Sequence, residues 1–206
     1  MRKKTLVVVV VATALVMVAP AAATASTATP ALTSGATQAF IANAANVPQA
    51  GSTSLSNAMV IAGAANINCS SYTMGVSYTT AGTATITSFS ASGCSMPSFP
   101  GCTVSIVPTG GSLPWGARLQ HTSATGFVLH VNMAYTKILS PGTPTCPAPA
   151  GAYPDTGLLQ AHAFVSASAL SAGYDAGSGS LTGPLGASTL SGTISGTLPA
   201  GSTKLI

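Results

Sequence analysis

Charge is what this chain has least of. Charged residues make up 4% of its 206 positions: six are Lys or Arg, two are Asp, and none is Glu. Three of the six cations are Arg2, Lys3 and Lys4, which leaves Arg118, Lys137 and Lys204 scattered over the rest of the chain. Three isolated cations make no electrostatic footprint for a phosphate backbone, so a nucleic-acid partner is excluded. Glycosidase and aspartic-protease chemistry needs two carboxylates in one place. Here Asp155 follows Pro154 and Asp175 sits in "GYDAGSGS", contexts that read as turns in which the side chain bonds its own backbone.

Metal and nucleophile motifs are missing as well. The four cysteines contain no CxxC pair, no histidine lies between Cys69 and Cys102, and there is no HExxH or GxSxG. His121, His130 and His162 are read as strand residues, His130 and His162 on polar faces exposed to solvent. No catalytic residue, metal or cofactor is expected, and the chain reads as a non-enzyme. A helical period of 3.6 is also absent throughout.

The N-terminus is read as an export signal. "MRKK" is a basic leader, "TLVVVVVATALVMV" an apolar stretch, and "APAAATA" a run of small residues suited to signal peptidase. Ala23-Thr24-Ala25 fits the cleavage rule best and makes 1–25 the signal, with Ala19-Pro20-Ala21 as a competing site. The run from Leu6 to Val18 is shorter than the roughly 20 residues of a spanning helix, so no transmembrane segment is expected after signal removal. No cysteine follows it to carry a lipid. Near the other end, Leu198-Pro199-Ala200-Gly201-Ser202 departs from a wall-sorting signal and lacks an apolar tail. The protein is therefore expected to be secreted, or held at the cell surface without a covalent link.

What is abundant points to strands. The chain is 47% apolar, with 22 Gly and 14 Pro as punctuation, enough to fold despite its low charge. Tyr72, Met74, Val76 and Tyr78 alternate with small polar residues, and Thr83 to Thr87 resume the period after "TTAG", so 70–90 reads as a hairpin. Phe127, Leu129, Val131, Met133 and Tyr135 line one face of a further strand, with His130, Asn132 and Thr136 on the other. Leu190, Ile194 and Leu198 mark another, with Gly192 and Gly196 on its apolar side. Weaker strands are expected at 38–43, 54–68, 102–107, 112–122 and 158–168. The fold class is all-β, an antiparallel sandwich or barrel, with one domain over 37–206, a flexible arm at 26–36 and a proline-rich loop at 140–154.

Four cysteines in an exported chain are expected to form two disulfides. A turn near Thr80 and Ala81 puts Cys69 opposite residues 92–94, favouring Cys69–Cys94 and hence Cys102–Cys146. The rival set, Cys94–Cys102 with Cys69–Cys146, stays open. Trp115, the lone tryptophan, reads as a core anchor, with an exposed aromatic for sugar or hydrocarbon contact as the other reading. Tyr72 and Tyr78 join it as candidate ligand or interface contacts.

The series "TSLSNAMVIAGAANINC", "GTATITSFSASGC", "GGSLPW" and "TLSGTISGTL" resembles small exported bacterial proteins described as activators of alkane oxidation, and their actinobacterial relatives. The matching positions are Cys69, Ala84 to Thr87, Cys94 or Cys102, and Leu113-Pro114-Trp115, within a span of about 35–198. The resemblance implies a non-enzymatic β-protein tied to hydrocarbon contact and to cell-surface or biofilm material. Composition adds one expectation: with few charged residues to guard its strand edges, the chain is suited to self-association or to an apolar interface. A binding module for a small hydrophobic or sugar ligand is the alternative.

Overall fold

Alternation becomes geometry in the strand Ile67–Tyr78, where Tyr72, Met74, Val76 and Tyr78 all point inward and are buried. It pairs antiparallel with Thr83–Ser95 through a turn at 79–82, closed by Gly82 N–H donating to Thr79 O and Thr79 N–H to Thr83 O. Gly82 has φ +75°, and a Cβ there would meet Ala39 O and the Gln38 side chain, so only glycine fits. This computed structural model describes residues 27–206 except 65, 123–125, 142–145, 147–148, 167–168 and 175–178. Residues 1–25, which the sequence suggests are an export signal, and Asp175 therefore lie outside the described residues.

Thirteen strands follow in chain order. They are β1 (Thr37–Gln38), β2 (Ile41–Ala42), β3 (Gly51–Ala62), β4 (Ile67–Tyr78), β5 (Thr83–Ser95), β6 (Cys102–Pro108) and β7 (Trp115–Thr122). The second half holds β8 (Gly126–Pro141), β9 (Gly151–Ser166), β10 (Ala169–Tyr174), β11 (Gly179–Gly183), β12 (Gly186–Thr197) and β13 (Lys204–Leu205). Every pairing among them is antiparallel.

The main ladder closes on itself. Starting from β3 it runs to β4 and β5, then to a position shared by β6 and β7, then to β8 and β9, then to a position shared by β10 and β11, and through β12 back to β3. That is an up-and-down barrel of eight positions, two of them split between consecutive strands. β6 pairs with the far half of β8 and β7 with its near half; β10 and β11 divide β9 in the same way. An eight-position barrel is just wide enough to be filled by side chains or to hold one small ligand. Leu55, Met59, Met74, Ile86, Leu129, Met133 and Ile194 fill much of this interior.

The two ends differ. At one end the chain leaves β12 through Leu198 and Pro199 and pairs β13 with β2, while Gln38 Nε2 donates to Ala39 O, Gly82 O and Leu119 O. Ala39, Ile41 and Ala42 are buried there and close that end. The opposite end carries the β3–β4 and β11–β12 turns and both disulfides, Cys69–Cys94 and Cys102–Cys146. Cys69 and Cys94 are directly opposed across β4 and β5, so of the two pairings left open by spacing the hairpin-derived set is the one formed.

Several boundaries differ from expectation. The stretch 54–68 is interrupted between Ala62 and Ile67, where the Gly63 N–H donates to Asn66 Oδ1 instead of continuing the ladder of β3. The proline-rich loop is shorter than 140–154: β8 continues to Pro141, paired there with β6, and β9 starts at Gly151, paired with Leu139 of β8. The arm at 27–33 lies across the outer face of β7 and β8. Asn132 Nδ2 donates to Ala28 O, Gln120 Nε2 to Ala31 O, and Thr33 N–H and Oγ1 donate to Gln120 Oε1.

Candidate functional site

The face of β8 that buries Leu129, Val131, Met133 and Tyr135 continues at Lys137 and Leu139. Lys137 therefore points into the barrel near its disulfide-bearing end. Register pairs Tyr135 with Asp155 on β9, which places that carboxylate on the same inner face. Lys137 Nζ lies 2.6 Å from Asp155 Oδ2. The same oxygen accepts hydrogen bonds from Tyr135 OH at 3.1 Å and Ser188 Oγ at 2.7 Å. Asp155 and Tyr135 are fully buried, and Ser188 and Lys137 nearly so.

Two buried charges are tolerable only if each is neutralised and hydrogen-bonded. Three donors on Oδ2 meet that condition from two different elements, β8 twice and β12 once. Oδ1 has no hydrogen-bond partner among the described residues. It sits against Gly183 at the end of β11, where a Cβ would meet Oδ1 and Pro154 O. Burial, and then the neighbouring Asp155 charge, push the Tyr135 phenol far above its ordinary range, so it stays protonated here and keeps its O–H to donate to Asp155. Lys137 Nζ also lies 5.9 Å from the Tyr135 ring centroid.

Beside this cluster is a cavity of about 280 Å³. Its walls are Ala64 from the β3–β4 turn, Ile67, Met96, Leu139, and Pro184 and Leu185 from the β11–β12 turn, with Lys137 as the one polar lining residue among the described residues. Most of the wall thus comes from the turns and strand ends of the disulfide-bearing end.

The aromatic candidates lie elsewhere. Trp115, Tyr72 and Tyr78 are core residues with exposures of 0, 1 and 5%, and none of them lines the cavity. Trp115 donates from Nε1 to Ser112 Oγ at 3.0 Å and packs against Phe89 with ring centroids 5.3 Å apart. As contacts for an outside ligand these three are corrected to interior packing. All four cysteines are in disulfides.

Two further expectations are overturned. Asp155 is not in a turn: Pro154 and Asp155 both sit inside β9, opposite Thr136 and Tyr135. His130 is not exposed but buried under the N-terminal arm, and burial lowers its pKa. His121 is exposed and packs on Phe127, and His162 is half-buried on β9. Among the described residues, no group of three or more His, Cys, Asp or Glu is placed to share a metal ion.

Lys137, Tyr135 and Ser188 were not singled out by sequence. The signal for Lys137 was there: extending the inward period of Phe127 to Tyr135 by one step puts a lysine on an apolar face. Comparison of the chain with protein-family models, with curated proteins and with solved structures returns no match.

Proposed function

We propose that this protein is an exported, non-catalytic binding module that holds one small, largely apolar molecule in the open end of its barrel. The observation that carries this reading is the asymmetry of the two ends. One is closed by β2, β13 and the Ala39–Ala42 segment, while the other, which also carries the two disulfides, keeps an apolar cavity of about 280 Å³. Ligand sites are typically concave and apolar with a few placed polar groups. A cavity with six apolar lining residues and one lysine follows that pattern.

Export is supported by the leader-like N-terminus and by two disulfides, which persist in oxidising compartments. The resemblance to proteins of hydrocarbon growth agrees with an apolar ligand and with a place at the cell surface. A matrix role built on strand edges pairing between molecules has less support, because the long strands already pair on both sides.

Methyl NMR of the oxidised protein titrated with small apolar and amphipathic molecules tests the reading. Expected are shifts centred on Ile67, Met96, Leu139 and Leu185. A spectrum that stays unchanged up to the solubility limit of every ligand would overturn it.

A further inference from the structure

The cavity and the ion pair beside it share Lys137, and together they define a head group. We propose that the open end selects an uncharged ligand with a hydrogen-bond-accepting oxygen, a hydroxyl or carbonyl, on a short apolar body, with that oxygen accepting from Lys137 Nζ. This rests on the binding reading above and makes its ligand class specific.

The first argument is the donor count. A lysine ammonium carries three N–H donors, and among the described residues Asp155 Oδ2 is the acceptor recorded for Lys137. A bare hydrocarbon seated against Lys137 would strip water from the remaining donors and offer nothing in return, an unfavourable exchange for a charged group. An oxygen acceptor removes that penalty.

The second argument is charge balance. Lys137 and Asp155 neutralise each other, and among the described residues no second cation lines the cavity. Arg118 belongs to β7, whose ladder lies at the closed-end half of β8, and Lys204 belongs to β13 at the closed end. A carboxylate ligand would therefore bring a second negative charge beside Asp155 without its own counter-ion. An amine would meet the Lys137 ammonium. A neutral oxygen escapes both.

The third argument is rigidity. Tyr135 and Ser188 donate to the oxygen that holds Lys137, so the ammonium is fixed before a ligand arrives. Tyr135 and Ser188 are positioning residues. Size sets the body: at about 30 Å³ per small group, the liquid volume of one water, the cavity takes roughly nine heavy atoms.

The test compares 1-hexanol, hexane and hexanoate on the oxidised full-length mature protein by methyl NMR titration, with K137M and K137M/D155N as variants. Expected is binding of 1-hexanol about tenfold or more tighter than either hexane or hexanoate, the worth of one hydrogen bond to a charged group. In the folded double variant the preference for 1-hexanol over hexane should fall to near unity. Hexanoate binding tightest, hexane matching 1-hexanol, or a preference that survives in K137M/D155N would each overturn the head-group assignment while leaving the binding reading intact. No binding of any of the three would overturn the binding reading itself. If K137M fails to fold, the wild-type ranking and the double variant still decide.

Discussion

Lys137 Nζ and Asp155 Oδ2 meet at 2.6 Å inside the barrel, two strand residues apart in register, with both side chains withdrawn from solvent. Removing one member leaves the other buried without its counter-charge. K137M and D155N are each expected to cost about 3–5 kcal/mol. K137M/D155N, which removes both charges, is expected to cost clearly less than the sum of the two. Urea unfolding of the four proteins measures this, and single-variant losses below about 1 kcal/mol would mean that the pair behaves as a solvated one.

That pair also shows where sequence reasoning stops. The hairpin of β4 and β5 was legible because Tyr72 to Tyr78 alternate cleanly and glycine marks the turn, and the position of that turn led directly to Cys69–Cys94. Asp155 reads as a turn residue in sequence because it follows Pro154, and proline and glycine usually punctuate. Inside the barrel each has another reason to be there. Gly157 leaves room for the backbone of Ser180 and Leu181 on β11, and Pro154 is part of the β9 ladder facing Thr136. His130 was read as exposed because its face of β8 is polar in sequence. What covers it is the arm at 27–33, a contact between segments about a hundred residues apart that no local pattern encodes.

Gly183 is the second pressure point of the ion pair. A methyl group there would meet Asp155 Oδ1 and the carbonyl oxygen of Pro154, and neither a buried carboxylate nor a strand backbone can give way easily. G183A is expected to lose about 1–3 kcal/mol. Gly186, three residues on, has instead φ +89° and open space around its Cβ position, so G186A reports backbone strain alone. Thermal unfolding of both variants separates the two effects. If D155A abolishes the extra cost of G183A, the clash is with the carboxylate; if not, it is with the carbonyl.

The disulfides pin the open end. Closing loops of 25 and 44 residues, they are expected to contribute roughly 3–4 kcal/mol each by restricting the unfolded chain. C69S/C94S and C102S/C146S should each lower the urea midpoint accordingly. Non-reducing peptide mapping of the wild type should yield the two pairs Cys69–Cys94 and Cys102–Cys146, and recovery of a Cys94–Cys102 peptide would contradict this arrangement.

At high pH, Tyr135 sets a limit. Its phenol holds its proton to higher pH in the folded chain than the ordinary 10.0 of the unfolded one. The stability this contributes is complete below about pH 10 and is lost as the pH rises beyond it, because the unfolded chain ionises while the folded chain does not. Y135F should flatten that alkaline decline. It should also cost about 1–3 kcal/mol at neutral pH by taking a donor from Asp155. An unchanged alkaline limb in Y135F would mean that other tyrosines govern it.

His130 sets the acid limit, and the arm couples to it. Ala28 is tied to Asn132, and Ala31 and Thr33 are tied to Gln120. Between these anchors lie the cross-strand partners Arg118 and His130, with Gln160 facing His130 from β9. Burial holds the imidazole pKa below its ordinary 6.5, so the folded chain resists a proton that the unfolded chain accepts. Stability is therefore full above about pH 6.5 and declines as the pH falls toward the folded value. The difference between wild type and H130Q isolates this group. H130Q should show a shallower acid decline, and in the wild type hydrogen exchange at the Thr33 amide should quicken over the same pH range as the arm lifts. Identical acid limbs in the two proteins would place the loss elsewhere. A Thr33 amide that stays protected while global stability falls would show that His130 is protonated only on complete unfolding.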